Sequence, residues 1–252
     1  MLPRFSILPL IMQVRRNKLL PVDSYINSAW SGVDTKELYE KNVKTQPDNW
    51  YYKSHTVRYK NNSQGYRTKE FNDIEWDNSI VLFGCSNTYG VGLDEDDTVG
   101  SQLTKITGIP TVNLGVGGSS MIYALHNSII VREQFPTPKA VVYIWPDYSR
   151  CVEYHEHSVR NHGPWDMEDT NLMGVWNSND YNVKMHAVFI QKTVRLLWKD
   201  TVLYEGTFSN KATAKLLKCE AFNQVDDARD LMHPGRESTK KAAIKIAKGL
   251  GL

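Results

Sequence analysis

The residues of this chain best suited to chemistry are one serine and an Asp–His pair far from it in sequence. Ser86 lies in the stretch Ile80 to Gly92, I-V-L-F-G-C-S-N-T-Y-G-V-G. The run Ile80 to Phe83 is apolar, β-branched and bounded by glycine, the pattern of a buried strand. The small and turn-forming residues after it put a polar side chain at the strand's carboxyl end. In open α/β sheets that is where ligands sit. A serine hydroxyl attacks only if a base takes its proton, and the base is commonly a histidine oriented by a carboxylate. Asp230-Leu231-Met232-His233, followed by Pro234-Gly235, supplies such a pair. Asp three residues before His can fold back to accept the Nδ1 proton. Taken alone, the Ser86 stretch fits equally well an ordinary turn in which Ser86 caps the next helix.

Positioning these groups requires a sheet. The sequence predicts strands at Ile80 to Phe83, Thr111 to Leu114, Ala140 to Trp145, Thr201 to Tyr204 and Glu220 to Val225. Helices are expected over Thr98 to Thr107, from a cap at Ser119 or Ser120 to about Glu133, over Val183 to Trp198, Ala212 to Leu217 and Arg236 to Leu250. The second of these would bury Met121, Ile122, Leu125, Ile129 and Ile130. Asp147 to about Asn182 breaks the pattern: it is long, polar and aromatic, and a stretch of that kind inside a compact domain is usually functional or flexible. Strands alternating with helices imply a parallel sheet covered on both faces. The expected class is α/β: a three-layer α/β/α sandwich of about five parallel strands, with Ile80–Phe83 central. In such a sheet the loop carrying Asp230 and His233 shares one edge with the loop carrying Ser86.

Residues 1–79 read as an extension packing on a main domain at 80–252, with an insert at about 147–182. A short helix is expected within Asn27 to Tyr39. Gln46 to Tyr59, rich in aromatics, is expected to pack over the main domain. Asn61 to Arg67 reads as a surface turn, with lining of the Ser86 site as the functional alternative.

Composition narrows the classes. Of 252 residues, 41% are hydrophobic and 23% charged, enough apolar material for a substantial core. Thirty basic against 28 acidic residues leave a formal charge of +2, so no electrostatic case arises for nucleic acid or an anionic membrane. Cys85, Cys151 and Cys219 are three and widely spaced, which argues against a disulfide framework or a structural zinc site. The apolar segment Phe5 to Met12 is short, broken by Pro9 and followed by Arg15 and Arg16. It does not read as a membrane span or a cleaved signal. A disordered or packed arm and a cytoplasmic location are the expectations, with no cofactor.

Three blocks carry a family resemblance. Gly84-Cys85-Ser86-Asn87-Thr88-Tyr89-Gly90 resembles the first block of the SGNH (GDSL-like) hydrolases, with Cys85 where Asp is frequent. Asn113-Leu114-Gly115-Val116-Gly117-Gly118-Ser119 is similar to their second block, and Asp230-Leu231-Met232-His233-Pro234 to their last, D-x-x-H-P. Each motif alone is weak; three in order, with strands in the right places, are fairly specific. The segment Asn62 to Arg67 also resembles a stretch preceding the serine block in some members. The resemblance spans roughly Ile80 to the carboxyl end and implies the flavodoxin-like fold of that family. It further implies Ser86 as nucleophile, His233 as general base and then acid, and Asp230 as its orienting carboxylate. The N–H groups of Ser86 and Gly118 would face the oxyanion, and glycine suits close backbone approach.

The third block departs from the pattern. Its usual Gly-x-Asn-Asp aligns with Ile144-Trp145-Pro146-Asp147, and Pro146 removes the Asn that donates to the oxyanion. Asn87, Arg150 and Arg67 are the candidate replacements, with Arg150 preferred because a charged donor makes the stronger bond. Arg67, Trp145, Asp147 and Trp165 are the candidate substrate-binding residues. Tyr148, Tyr154, Trp165 and Trp176 could stack on a sugar or simply hold the insert down. His155, His157 and His162, beside Glu153 and Glu156, lack tetrahedral ligand spacing, so a solvated loop or lid is preferred to a metal site.

The reading that results is a serine esterase acting on a small acyl ester, such as an acetyl group on a carbohydrate. Two alternatives stay open. One is an O-acyltransferase using the same triad, with a sugar hydroxyl replacing water. The other is a carbohydrate-binding module that kept the fold and lost the rate, which Pro146 favours and the intact Ser86, Asp230 and His233 oppose.

Overall fold

The computed structural model describes residues 18–20, 22, 26–155, 159–166 and 171–252. The apolar segment Phe5 to Met12 lies outside these residues. Five parallel strands form the central sheet: β3 (Ile80–Gly84), β4 (Thr111–Gly115), β5 (Ala140–Ile144), β8 (Val202–Thr207) and β9 (Glu220–Ala221), in the order β4-β3-β5-β8-β9. Every residue of β3 and β5 is buried, as their unbroken apolar sequences require of strands covered on both faces. Strand β3 is interior as expected, but the middle of the sheet is β5.

The pleat sorts side chains to two cores. Ile80, Leu82, Val142 and Ile144 pack with α3 (Val99–Thr107) and α8 (Arg236–Leu250). Val81, Phe83, Val141 and Tyr143 face the other way, onto α4 (Met121–Gln134) and α6 (Asp180–Leu197). The result is the three-layer α/β/α sandwich. The connection leaving β3 runs to β4 on one side, and the connection leaving its other neighbour, β5, runs towards β8 on the opposite side. A crevice opens there at the carboxyl ends, the usual ligand position.

Local chemistry fixes the helix ends. Thr98 caps α3 by accepting from the Ser101 N–H, and Ser120 caps α4 by accepting from the Tyr123 N–H. In α4 the buried face is rotated from the expected one. Tyr123, Ala124, Asn127, Ser128 and Val131 are buried with Met121 and Ile130, whereas Ile122 is 36% exposed. Polar residues turn inward because buried partners await them: Asn127 donates to Tyr66 Oη and accepts from the Leu20 N–H, and Ser128 accepts from Trp198 Nε1.

The N-terminal segment also differs from expectation. Its helix, α1 (Lys36–Thr45), begins later because Thr35 caps it, and before it β1 (Asn27–Ser28) pairs with β2 (Tyr59–Lys60). Tyr52, Val57 and Tyr59 pack against Tyr89 and Val91 in the loop after β3. Asn61 to Arg67 is no surface turn: Asn61, Asn62, Tyr66 and Arg67 are all buried. Asn62 Oδ1 accepts from the N–H groups of Gln64 and Tyr66, closing the turn on itself. Its polar composition suggested exposure, and Ser63 and Gln64 at its tip are exposed, but the buried Asn62 and Arg67 find internal partners.

The insert holds an antiparallel hairpin, β6 (Cys151–Tyr154) with β7 (Val159–His162), then a short helix α5 (Asn171–Asn177). Among the described residues, no helix is long and apolar enough to cross a membrane.

Candidate active site

Ser86 is the first residue of α2 (Ser86–Tyr89), two residues beyond the end of β3. Cys85 occupies the cap position, so the Ser86 hydroxyl is left for another partner. The turn is tight. A Cβ on Gly84 would lie 2.1 Å from Thr88 Oγ1 and 2.4 Å from the Ile144 carbonyl oxygen. A Cβ on Gly115 would lie 2.5 Å from the Tyr89 N atom. Both glycines let α2 settle against the sheet edge. Asn113 fastens it, donating from Nδ2 to the Thr88 carbonyl at 2.8 Å.

His233 comes from the loop between β9 and α8. Its Nε2 lies 2.8 Å from Ser86 Oγ, and its Nδ1 lies 2.5 Å from Asp230 Oδ2. The other Asp230 oxygen accepts from the Met232 and His233 N–H groups, each at 3.1 Å. Burial would raise the Asp230 pKa, but the hydrogen bond and charge of His233 and the two backbone N–H groups outweigh it and hold the carboxyl below its ordinary value. The three residues form one hydrogen-bonded line from carboxylate through imidazole to hydroxyl. That line can move a proton off the hydroxyl.

The line opens on a cavity of about 710 Å³, a size suited to a small ligand. Ser86 and His233 line it with Gly117, Gly118, Arg150 and Trp165. Gly118 has φ +73°, a conformation that favours glycine, and its N–H has no acceptor among the described residues. The Ser86 N–H, the first of a helix, likewise has no acceptor among the described residues. Two N–H groups are thus available where negative charge would develop on a substrate oxygen.

The remaining expected residues divide. Arg150 lines the cavity, donating from Nη1 to the Ser119 carbonyl at 3.3 Å with its guanidinium 5.0 Å over the Trp165 ring. Asn87 does not line it. One step along a helix turns a side chain by about 100°, so Asn87 points away from the face Ser86 uses. Arg67 is buried elsewhere, with all five N–H groups engaged: Glu95, and the carbonyls of Tyr89, Gly90, Arg58 and Leu93. It braces the loop after α2 and has no donor left for a substrate. Trp145 is buried in the core and donates from Nε1 to Glu205. Asp147 accepts from Ser149 and Asn210 and shapes the start of the insert.

Trp165 is the expected aromatic that reaches the cavity, and Trp176 instead donates from Nε1 to the Ser149 carbonyl and holds the insert down. Tyr148 reaches Asp180, and Tyr154 is exposed on β6. His162 is buried, with Nε2 3.1 Å from Glu153 and Nδ1 3.5 Å from Asp166, and His155 faces the same Glu153 at 3.3 Å. His157 and Glu156 lie outside the described residues. Among the described residues, no group of three or more His, Cys, Asp and Glu could hold a metal ion. His162 on β7 meets Glu153 on β6 across the hairpin.

Sequence reasoning missed the wall contributed by the N-terminal segment: Ser31, Gly32 and Val33 line the cavity. The S-G-V-D run is a turn signal, with Gly32 at φ +59°, but nothing in it points to the Ser86 edge. The insert adds Val159, Arg160 and Asn161 from β7.

No protein-family model matches the chain, and no curated protein does. Several solved structures are similar to it at low identity. One is a carbohydrate esterase family 2 enzyme with a carbohydrate-binding domain from Corynascus thermopiles (Myceliophthora fergusii), 13% identical over 69% of this chain and 67% of that one, TM-score 0.43. Another is an acetyl xylan esterase from Butyrivibrio proteoclasticus, 10% identical over 71% and 65%, TM-score 0.45. A third is a GDSL-like lipase from Bacteroides uniformis, 10% identical over 69% and 96%, TM-score 0.43. The chain spans about two thirds of the length of the two esterases.

Proposed function

We propose that this chain is a serine esterase of the SGNH type, hydrolysing a small acyl ester, in the first instance an acetyl ester on a carbohydrate. One observation carries the reading: the Asp230–His233–Ser86 line opens on a cavity with two unpaired N–H groups beside it. Ser86 Oγ attacks the ester carbonyl while His233 Nε2 takes its proton. The carbonyl oxygen becomes an oxyanion facing the N–H groups of Ser86 and Gly118. Arg150 stands in for the side-chain donor that Pro146 cannot be. Collapse of the intermediate breaks the bond to the alcohol, which leaves with the proton from His233. Water then attacks the acyl-serine by the same route, giving the carboxylic acid and free Ser86. Asp230 keeps the imidazole in the tautomer that accepts at Nε2. A sugar hydroxyl replacing water in the second half would make the same site a transferase.

Trp165 supports a carbohydrate on the alcohol side, since an exposed indole at a cavity rim is a stacking surface. The test is turnover of a chromogenic acetate ester by the wild type and by Ser86→Ala. Turnover lost in the variant supports the reading; equal turnover, or none in the wild type on any short acyl ester, contradicts it.

A further inference from the structure

Immediately before Asp230 stands Arg229, a buried guanidinium that takes no part in the proton path. Its Nε and Nη2 bond the carboxylate of Asp34, itself buried, at 3.0 and 2.7 Å. Nη2 also donates to the Ala29 carbonyl, and the guanidinium lies 4.2 Å over the Trp30 ring. The Arg229 main chain is fastened at both ends. Its N–H donates to the Gly92 carbonyl at 3.1 Å, and its own carbonyl accepts from Asn42 Nδ2 at 3.2 Å. Tyr59 closes the circuit: its hydroxyl donates to Asp34 and accepts from the Gly92 N–H.

Three stretches therefore meet at Arg229. They are the N-terminal segment (Ala29, Trp30, Asp34, Asn42, Tyr59), the loop after α2 (Gly92), and the loop carrying Asp230 and His233. A Cβ on Gly92 would lie 2.7 Å from Ala228 Cβ and 3.0 Å from the Arg229 N atom, so the two loops lie directly on each other. The acid–base loop is also strained. Leu231 sits at φ +57°, a conformation that costs a residue with a Cβ and persists only where the surroundings over-determine it. Bonds inside the loop, from the Ala228 N–H to the His233 carbonyl and from the Leu231 N–H to the Ala228 carbonyl, set its shape. They do not set its place relative to Ser86. The Arg229 N–H, bonded to the Gly92 carbonyl, ties the loop to the stretch that follows Ser86.

We infer that Arg229, gripped by Asp34, is a positioning residue: through it the N-terminal segment holds Asp230 and His233 in register with Ser86. The inference rests on the esterase reading above. On this account residues 29–59 complete the catalytic arrangement as well as packing on it.

The test separates positioning from mere stability. Removing one partner of a buried ion pair strands a charge and destabilises, whereas replacing both by apolar groups of similar volume restores most of the stability. The variants are Arg229→Met, Asp34→Leu, the double variant and Arg229→Lys, each in the full chain. The readouts are urea stability, kcat and KM on a chromogenic acetate, and the far-downfield proton resonance of His233 Nδ1–H. The expected result is a double variant that regains stability but stays at least about tenfold low in kcat, with KM changed about twofold or less. Its Nδ1 proton resonance shifts or broadens, and Arg229→Lys recovers part of the rate. A double variant that regains stability, rate and resonance together overturns the inference while leaving the esterase reading intact. A wild type without turnover and without a reactive Ser86 overturns both.

Discussion

Ser86 Oγ and His233 Nε2 lie 2.8 Å apart although 147 residues separate them in the chain. One comes from the loop after β3 and the other from the loop after β9, an interior and an edge strand of one parallel sheet. All strands of that sheet run the same way, so every loop leaving a carboxyl end arrives at one edge, and distance in sequence does not become distance in space. The contact depends on what braces each loop: Asn113 under α2, and Arg229 beside Asp230.

Asp230 should leave a signature in stability against pH. Burial opposes its charge, but His233 and two N–H groups hold its pKa below the usual carboxyl value. A carboxyl depressed in the folded state contributes stability at pH above its unfolded value, about 3.9, and loses it as pH falls through the folded value. Urea midpoints should therefore drop below about pH 4 more steeply in the wild type than in Asp230→Asn. Parallel curves for the two proteins would contradict the assignment.

Arg150 and Asn87 are separable as oxyanion donors. Arg150 lines the cavity and Asn87 does not. Arg150→Ala should lower kcat about tenfold or more with little change in KM, the mark of a contact made in the transition state. Asn87→Ala should stay near wild type. Steady-state kinetics on one acetate ester decides between them, and the reverse ranking would remove Arg150 from the site.

Trp165 should govern preference more than folding. It is 55% exposed at the cavity rim beside Gly118. Trp165→Ala should change thermal stability by about 0.5 kcal/mol or less, as an exposed substitution does. Its kcat/KM should fall more for acetylated sugars than for a small aryl acetate, because the smaller ester lacks the ring that stacks. Equal losses on both substrates would contradict a stacking role.

How much of this was legible depended on whether the signal was local. The strands were readable because Ile80–Phe83 and Ala140–Trp145 are apolar on both faces, and α8 was bounded correctly at Arg236 and Leu250. Ser86, Asp230 and His233 could be named because their motifs are short and their strands recognisable. Arg67 and Trp145 were expected at the cavity and lie in the interior. What decides their place is the set of carbonyls around Arg67 and the Glu205 carboxylate at Trp145, partners 9 to 60 residues away. The β6–β7 hairpin was not foreseen, since its polar, histidine-containing sequence has no clear alternation. Its buried His162 is held by the hydrogen bond of Nε2 to Glu153, a polar partner that no apolar pattern signals.

Gly115 tests the packing that seats the nucleophile. A Cβ there would meet the Tyr89 N atom at 2.5 Å and Thr88 Cβ at 2.7 Å, both fixed by the short helix α2. Gly115→Ala should destabilise the fold by about 1–3 kcal/mol, the usual cost of overpacking. The folded fraction should also lose kcat, since α2 carries Ser86. Urea melts and kinetics on the same preparation give both numbers, and an unperturbed variant would mean that α2 is not held as described.

The central claim is that Ser86 is a nucleophile activated by His233. A fluorophosphonate is attacked by an activated serine, which displaces fluoride and keeps the phosphonyl group as a stable adduct. The measurement is intact mass followed by peptide mapping of the wild type, Ser86→Ala and His233→Ala after exposure to that reagent. The account predicts a single adduct on Ser86 in the wild type, none in Ser86→Ala, and labelling slowed by about a hundredfold or more without the histidine base. An unlabelled wild type, an adduct on another residue, or undiminished labelling in His233→Ala would contradict it.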